Sequence, residues 1–416
     1  MSETILKEVI LPVAFNKKGS TFVDCEFDKK YEAQDNFQSS VFFLTATVKK
    51  EDANIKLPLV VKFEPVDENI RKELNTNVQF FNEIFMYGDL LPVINKNYIC
   101  ENTFPTFYYG VATIVDPDKD VIIIEDLRPK GFKLTTEKVF LDIQHLQLAM
   151  EKLGRFHALS YVAKKDNPTK FYEMVAKLKE TSWDEMRPGW GDTTIRKCFH
   201  RAMDPLITAG KHEKVLRRLL SRLDRPGGVV GFMKELVAPE EPTAVLCHGD
   251  FCRNNMLFKY SSEPEVPVDV RFFDVATARY ASPAVDIAFF LLMNSTSAAR
   301  DAHWDFLLSR YHSSLTSAVA ETSRDVMVPS LATLQQELRL KAIYGFAHVS
   351  FFLPMMLWGE AMDMEAMQDL TLEEVGDFNA KLGGDEGTEL LRNMVEELVL
   401  RGCLTLDHPF LKDYKE

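Results

Sequence analysis

Two spacings of apolar residues succeed one another along the chain. Up to about residue 127 the apolar positions come in short runs. Val41–Val48 (VFFLTATV) and Leu57–Phe63 (LPLVVKF) are rich in β-formers, and the polar, charged connector 49–56 predicts a hairpin between them. One helical stretch, about 70–91, puts Phe81, Ile84 and Phe85 on one side. Two further runs, 106–114 and 121–125, flank the turn formers Asp116-Pro117-Asp118. After about Arg128 the spacing lengthens to three and four. Residues 136–162 read as a helix, with Ile143, Leu146, Met150, Leu153 and His157 along its apolar stripe. Residues 170–235 read as mostly helical and charged, and the chain from Ala284 onward as mainly helical. Between them, the short strands Met256–Tyr260 and Val268–Phe273 flank an SSEPE turn. No internal repeat is visible. A β-rich part followed by a helical part with one internal hairpin predicts an α+β protein of two lobes with a cleft between them, joined near Glu125 to Arg128.

Composition narrows the classes. The 416 residues are 46% apolar, enough for a large core and more than one domain. A net charge of −13 disfavours nucleic acid and an anionic membrane as partners, so any phosphate site must concentrate its positive charge locally. Cys25, Cys100, Cys198, Cys247, Cys252 and Cys403 form no CxxC pair and read as reduced thiols of a cytosolic protein. Residues 1–13 lack the apolar region of a signal peptide. The most apolar run, 342–358, carries His348, Ser350 and Pro354 and reads as a buried helix that breaks near Pro354, rather than as a membrane span.

The chemistry concentrates in Val245–Phe258 (VLCHGDFCRNNMLF). His248-Gly249-Asp250 is followed, five residues after the aspartate, by Asn255, which is the H-x-D-x-x-x-x-N pattern of a kinase catalytic loop. Phosphoryl transfer needs a carboxylate to orient the attacking hydroxyl and accept its proton, and oxygen ligands that hold a metal against the phosphates. A short loop lets Asp250 serve the first need and Asn255 the second. Beyond a second apolar strand, Arg271-Phe272-Phe273 ends in Asp274, placed to be the main metal ligand. Val275-Ala276 follow, so the glycine of a DFG motif is absent. Either HGD or Asp274 alone is a commonplace; together, at this spacing, they point to one reaction. Cys247 and Cys252 flank the loop at spacings unsuited to zinc.

These blocks, with IIIEDLRPKGFK and LGRFHALS before them and RFFDVATARYASPAVDIAFFL after them, resemble the ecdysteroid kinase-like family, which sits with choline kinases and aminoglycoside phosphotransferases. The resemblance implies a bilobal protein-kinase-like fold, with residues 1–127 as a β-rich, nucleotide-binding lobe and 128–416 as a mainly helical lobe for catalysis and substrate. It also implies ATP, Mg²⁺ and a small-molecule alcohol as acceptor, with a steroid or xenobiotic alcohol the leading class. Carried over by position, Asp250 is the catalytic base and Asn255 and Asp274 bind Mg²⁺. His248 braces the loop. Asp286 supports it from beneath or, alternatively, caps the helix beginning at Ile287. Lys62, the one charge in LPLVVKF, anchors the α- and β-phosphates, or else snorkels from a sheet edge. Its partner is Glu83, with Glu73 the weaker alternative and an exposed helix position the plainer reading. Backbone groups of Glu125, Asp126 and Leu127 meet the adenine. The phosphate loop falls at 33–40, without glycine, where Ser39 and Ser40 either donate to phosphate or form a plain turn. His157 reads as a core histidine. A choline- or aminoglycoside-type transferase, a degenerate kinase that only binds nucleotide, and a carrier of a small apolar ligand remain as alternatives.

Overall fold

The computed structural model describes residues 3–16, 19–29, 40–51, 53–65, 68, 71–72, 75–96, 99–113, 120–183, 190–263, 265–322, 325–359 and 370–412. The chain forms two compact units. The first gathers residues 1–134, 169–181 and 256–278, and the second 135–168, 182–255 and 279–416. The strand pair after the HGD loop therefore returns to the first unit.

The first unit is built on an antiparallel sheet of five strands in the order β1-β2-β3-β5-β4: β1 Thr21–Phe27, β2 Ser40–Lys50, β3 Ala53–Phe63, β4 Phe107–Val111 and β5 Val121–Glu125. The β2–β3 hairpin is longer than the apolar pattern suggests. Pairing runs to Lys50 opposite Ala53, and Glu51 next to Lys50 takes the left-handed region (φ 55°). Alternation sorts each strand: Leu44, Ala46 and Val48 of β2 face Leu59, Val61 and Phe63 of β3 in one core, which the helical residues 3–16 close with Leu6, Ile10, Leu11, Ala14 and Phe15. Each such fully buried large side chain contributes about 1.5–3 kcal/mol. Helix α1, Thr76–Phe85, continues through a wider turn, Met86–Leu90, so the helical stretch runs nearly where the spacing predicts. Gly110 of β4 lets it approach, since a Cβ there would stand 2.6 Å from Ile84. A second sheet, β6-β8-β9, joins β6 Phe132–Lys133 to the paired β8 Met256–Tyr260 and β9 Pro267–Phe272.

The second unit is mainly helical. Helix α2, Ile143–Asp166, starts at Asp142, whose carboxylate accepts from the backbone N–H of Gln144 and His145 and so sets the helix start seven residues after Thr136. Further helices are α3 Trp190–Thr208, α4 Ala284–Asn294, α5 Ser297–Ala320 and α6 Leu331–Trp358. A two-stranded sheet pairs β7 Val245–Cys247 with β10 Arg279–Ala281. Glycines set two helix crossings: a Cβ on Gly154 of α2 would meet the Tyr311 carbonyl of α5 at 2.4 Å, and one on Gly345 of α6 the Ala288 backbone of α4 at 2.7 Å.

Helix α6 passes through Pro354 and ends at Trp358, instead of breaking. A proline removes one N–H and crowds one carbonyl, and here tight packing of its helix against α4 holds the rest. This helix is long and apolar enough to cross a membrane, but 67% of its most apolar window is buried within the fold. The α+β class expected from the sequence is the class observed: a five-stranded antiparallel sheet with its helix, and a mainly helical unit.

Candidate active site

In the first unit, β3 presents Lys62 from an otherwise apolar strand. Its Nζ lies 2.9 Å from Glu83 Oε2 on α1 and 2.9 Å from Asp274 Oδ1 just past β9. Glu83, of the two acidic candidates, meets the lysine; Glu73, like Ser39 and Asp116-Pro117-Asp118, lies outside the described residues. Burial works against the Lys62 ammonium, but Asp274 and Glu83 outweigh it, and its pKa stands above the ordinary value. Burial pushes the Glu83 carboxyl up, with Asp274 adding to the rise and Lys62 opposing it. One cation thus faces two carboxylates, one sealed in and one, Asp274, about a third exposed. Asp274 has φ 59°, a left-handed backbone that a non-glycine residue adopts only under local constraint. Its setting explains the constraint: Asn82 of α1 donates to the carbonyls of Lys179 and Ala276 and accepts from the N–H of Lys179, pinning the segment after Asp274.

Strand β5 ends in groups already committed. Glu125 N–H donates to the Thr106 carbonyl and Asp126 N–H to the Pro58 carbonyl, while the Leu127 carbonyl accepts from Lys130 and Phe132. Their side chains are tied locally, Glu125 to Lys130 and Thr106, and Asp126 to Arg128, whose guanidinium stacks 3.9 Å over Phe43. One backbone group differs. Asp126, one residue past the Leu59–Glu125 end of the β3–β5 ladder, donates to the carbonyl of Pro58, which has no N–H to return to the Asp126 carbonyl.

In the second unit, His248-Gly249-Asp250 follows β7. Gly249 has φ 88°, a turn for which glycine is the fitting residue. Asp286, in the first turn of α4, makes no capping bond to its own helix. Its Oδ2 accepts from His248 N–H at 2.7 Å and its Oδ1 from Gly249 N–H at 2.9 Å. Asn255 Nδ2 donates to the Asp250 carbonyl at 2.9 Å and to Asp250 Oδ2 at 2.8 Å, two bonds that do not involve its amide oxygen. The ring of His248 is buried against Phe251, and Phe251 against Phe290.

Arg253 with its partner Asn294, and Tyr311, escaped the sequence reading, and His157 does more than that reading gave it. Arg253 lies inside the loop; its N–H donates to Asn294 Oδ1 and its Nε to the Lys138 carbonyl, while Asn294 Nδ2 donates to the Val139 carbonyl. The single arginine between Asp250 and Asn255 was a signal for this. His157 is buried as expected, but both its nitrogens are engaged: Nε2 with Asp286 Oδ2 at 3.2 Å and Nδ1 with the Tyr311 hydroxyl at 2.8 Å. Nothing in the sequence pointed to Tyr311.

The ligand atoms of His157, Cys247 and Asp286 lie within 4.8 Å of one another. Their chemistry is that of a hydrogen-bond cluster. The carboxylate and imidazole are already bonded, and burial pushes the Cys247 thiol far up, so it keeps its proton and points at the carbonyls of Val245, Ala281 and Ser282.

The sequence profile of the ecdysteroid kinase-like family matches residues 33–323. No curated protein matches. Among solved structures, the chain is similar to an ethanolamine kinase of Plasmodium vivax, with 15% identity over 90% of this chain and 85% of that one and a TM-score of 0.40. It is similar to a microcompartment-associated aminopropanol kinase, with 12% identity over 95% and 99% and a TM-score of 0.47. It is also similar to the amicoumacin kinase hAmiN, solved with AMP-PNP and Ca²⁺, with 13% identity over 91% and 89% and a TM-score of 0.40. These three likenesses are faint, and the family match is the finding that carries weight.

Proposed function

The chain belongs to the ecdysteroid kinase-like family, and on that premise we propose that it transfers the γ-phosphate of ATP to a hydroxyl of an apolar small molecule, such as a steroid or xenobiotic alcohol. The observation that carries the reading is the lysine of β3 held at equal distance from a buried helix glutamate and from Asp274. A cation so placed has little structural reason on an apolar strand and a plain chemical one, since it meets α- and β-phosphates as a fixed positive charge.

Each residue then has a part. Glu83 aims the lysine. Asp274, partly exposed, and Asn255, whose amide nitrogen is engaged by Asp250, fit a hard divalent ion such as Mg²⁺ through oxygen. Such an ion, when bound, neutralises charge on the phosphates. Asp250, held by Asn255, aligns the acceptor hydroxyl and takes its proton. Asp286 and His248 keep the loop in shape. The Asp126 carbonyl, lacking a donor from Pro58, suits the exocyclic amino group of adenine and opposes the oxo group of guanine, which favours ATP over GTP.

The acceptor class rests on α6. Its middle is sealed in the core, whereas Phe352, Met355, Met356, Leu357 and Trp358 are only half-buried, and Met356 Sδ lies 3.8 Å from the amide of Asn254 in the loop. An apolar acceptor fits such a lining; choline would ask for an aromatic cage and an aminoglycoside for carboxylates. ATP consumption measured with steroid, phenolic and glycoside alcohols, choline and aminoglycosides tests the proposal. Turnover confined to apolar alcohols is expected. Turnover only with choline or aminoglycosides overturns the acceptor class, and nucleotide binding with no turnover at all overturns the enzyme.

A further inference from the structure

The buried groups beneath the HGD loop end in a residue that the reaction scheme leaves unused. Helices α2 and α5 cross closely because Gly154 has no side chain to hold them apart. Three residues along α2 from that crossing stands His157, and the Tyr311 ring of α5 meets it edge-on, with centroids 5.7 Å apart and planes at 72°. Both residues are fully buried.

Donor and acceptor rules choose between the two neutral tautomers of His157. The Asp286 carboxylate only accepts, and it already accepts the N–H groups of His248 and Gly249. Burial alone would raise its pKa; the hydrogen bond from His157 leads the effects that bring it below the usual range, so it is an anion. His157 Nε2, 3.2 Å from Asp286 Oδ2, must therefore carry a hydrogen. In the neutral ring Nδ1 is then a bare lone pair. Burial keeps Tyr311 a phenol, so its O–H donates to Nδ1 at 2.8 Å. The opposite tautomer would set a lone pair against the carboxylate.

We propose that Tyr311 is a positioning residue for the catalytic loop, its hydroxyl fixing the His157 ring and, through Asp286, the backbone of His248 and Gly249 that carries Asp250. Asp286 Oδ2 is shared between His157 and His248 N–H. A ring free to turn releases one of the restraints on that oxygen, and the peptide immediately before Asp250 inherits the slack. The inference rests on the phosphotransferase reading for the word catalytic, but not for the linkage itself.

The experiment uses the full chain. Hydrogen exchange at the His248 and Gly249 amides should quicken about tenfold in Tyr311→Phe, the size of one lost hydrogen bond, with β5 amides unchanged. With an accepted alcohol, kcat should fall while KM for ATP stays put. Tyr311→Phe placed on His157→Ala should add nothing further, because both act through one ring. Unchanged loop exchange in Tyr311→Phe, or additive effects in the double variant, overturns the proposal. Should Tyr311→Phe not fold, the ¹⁵N resonances of His157 in the unaltered protein decide: a protonated Nε2 with bare Nδ1 supports the linkage, and a protonated Nδ1 overturns it. Exchange and resonances need no substrate. A chain that phosphorylates none of the alcohols thus fails the functional reading alone, and an active enzyme with unmoved loop exchange fails this inference alone.

Discussion

The candidate-site residues of the two units are organised by different physics. In the first, Lys62, Glu83 and Asp274 come from a strand, a helix and a turn far apart in sequence, and long side chains hold them through two ionic contacts of 2.9 Å. In the second, Asp250 and its supports are held by short contacts to backbone: two loop amides on one carboxylate, and one asparagine amide on both the carbonyl and carboxylate of Asp250. Ion pairs of long side chains tolerate movement of their backbones by changing rotamer. Backbone amides on a buried carboxylate do not. The first set is suited to following a charged ligand, the second to keeping one carboxylate in a fixed attitude. Variants should separate the two.

The largest effect is expected where the rigid set meets the substrate. Asp250→Asn keeps the shape of the side chain and removes its basicity, so turnover should drop by between about a hundredfold and ten-thousandfold with ATP affinity retained. Rates with the best alcohol, beside nucleotide binding by calorimetry, check it. Retained turnover would strip Asp250 of its role and leave the loop a structural turn.

Next comes the ionic set. Lys62→Met deletes the only cation within bonding distance of Glu83 among the described residues and should weaken ATP binding while costing up to about 3 kcal/mol of stability. The cost must depend on pH. Glu83 already has a raised pKa, chiefly from burial, and loses the opposing pull of Lys62. The folded variant then holds a proton that the unfolded chain releases, so its stability is kept at low pH and lost as pH rises through the raised value. Denaturant melts between pH 5 and 8 read this directly. A pH-independent loss would mean that the lysine and glutamate are not coupled.

A smaller effect tests the link after β5. Pro58→Ala restores an N–H opposite the Asp126 carbonyl and should raise KM for ATP severalfold, roughly the value of one hydrogen bond, while leaving kcat and the acceptor KM alone. An unchanged nucleotide KM would show that the base does not use that carbonyl.

How much of this could be read beforehand follows the same division. The HGD loop, Asn255 and Asp274 lie within 27 consecutive positions, where spacing alone is informative. Lys62 showed itself as a charge in an apolar strand, and Glu83 as an acid among aromatic neighbours. The paired strands β2–β3, β4–β5 and β8–β9 were marked by β-branched runs and turn formers. What the sequence concealed depends on contacts across many residues. Tyr311 reaches His157 over 154 positions, and only the absence of a Cβ on Gly154 makes that reach possible. The β7–β10 pair, three residues each, is too short to leave a pattern. Pro354 was misread because a local breaker was weighed without the packing that overrides it. The return of β8 and β9 to the first unit is likewise a matter of contacts rather than of composition.

The smallest effect asks whether ionic control is confined to the first unit. His200 of α3 is half-buried in the second unit, far in sequence from the loop, with Nδ1 3.1 Å from Asp204 and Nε2 2.8 Å from Asp224. Burial lowers its pKa, but bonds to Asp224 and Asp204 prevail and leave it raised. A histidine raised on folding stabilises in full below its unfolded value, near about 6.5, and that contribution disappears as pH climbs through the folded value. Solvent reaches the cluster, so the effect should be small. His200→Gln should therefore melt below the unaltered protein at pH 5.5 and with it at pH 8.5. If the two curves differed equally at both values, His200 would be holding the helix by packing rather than by charge.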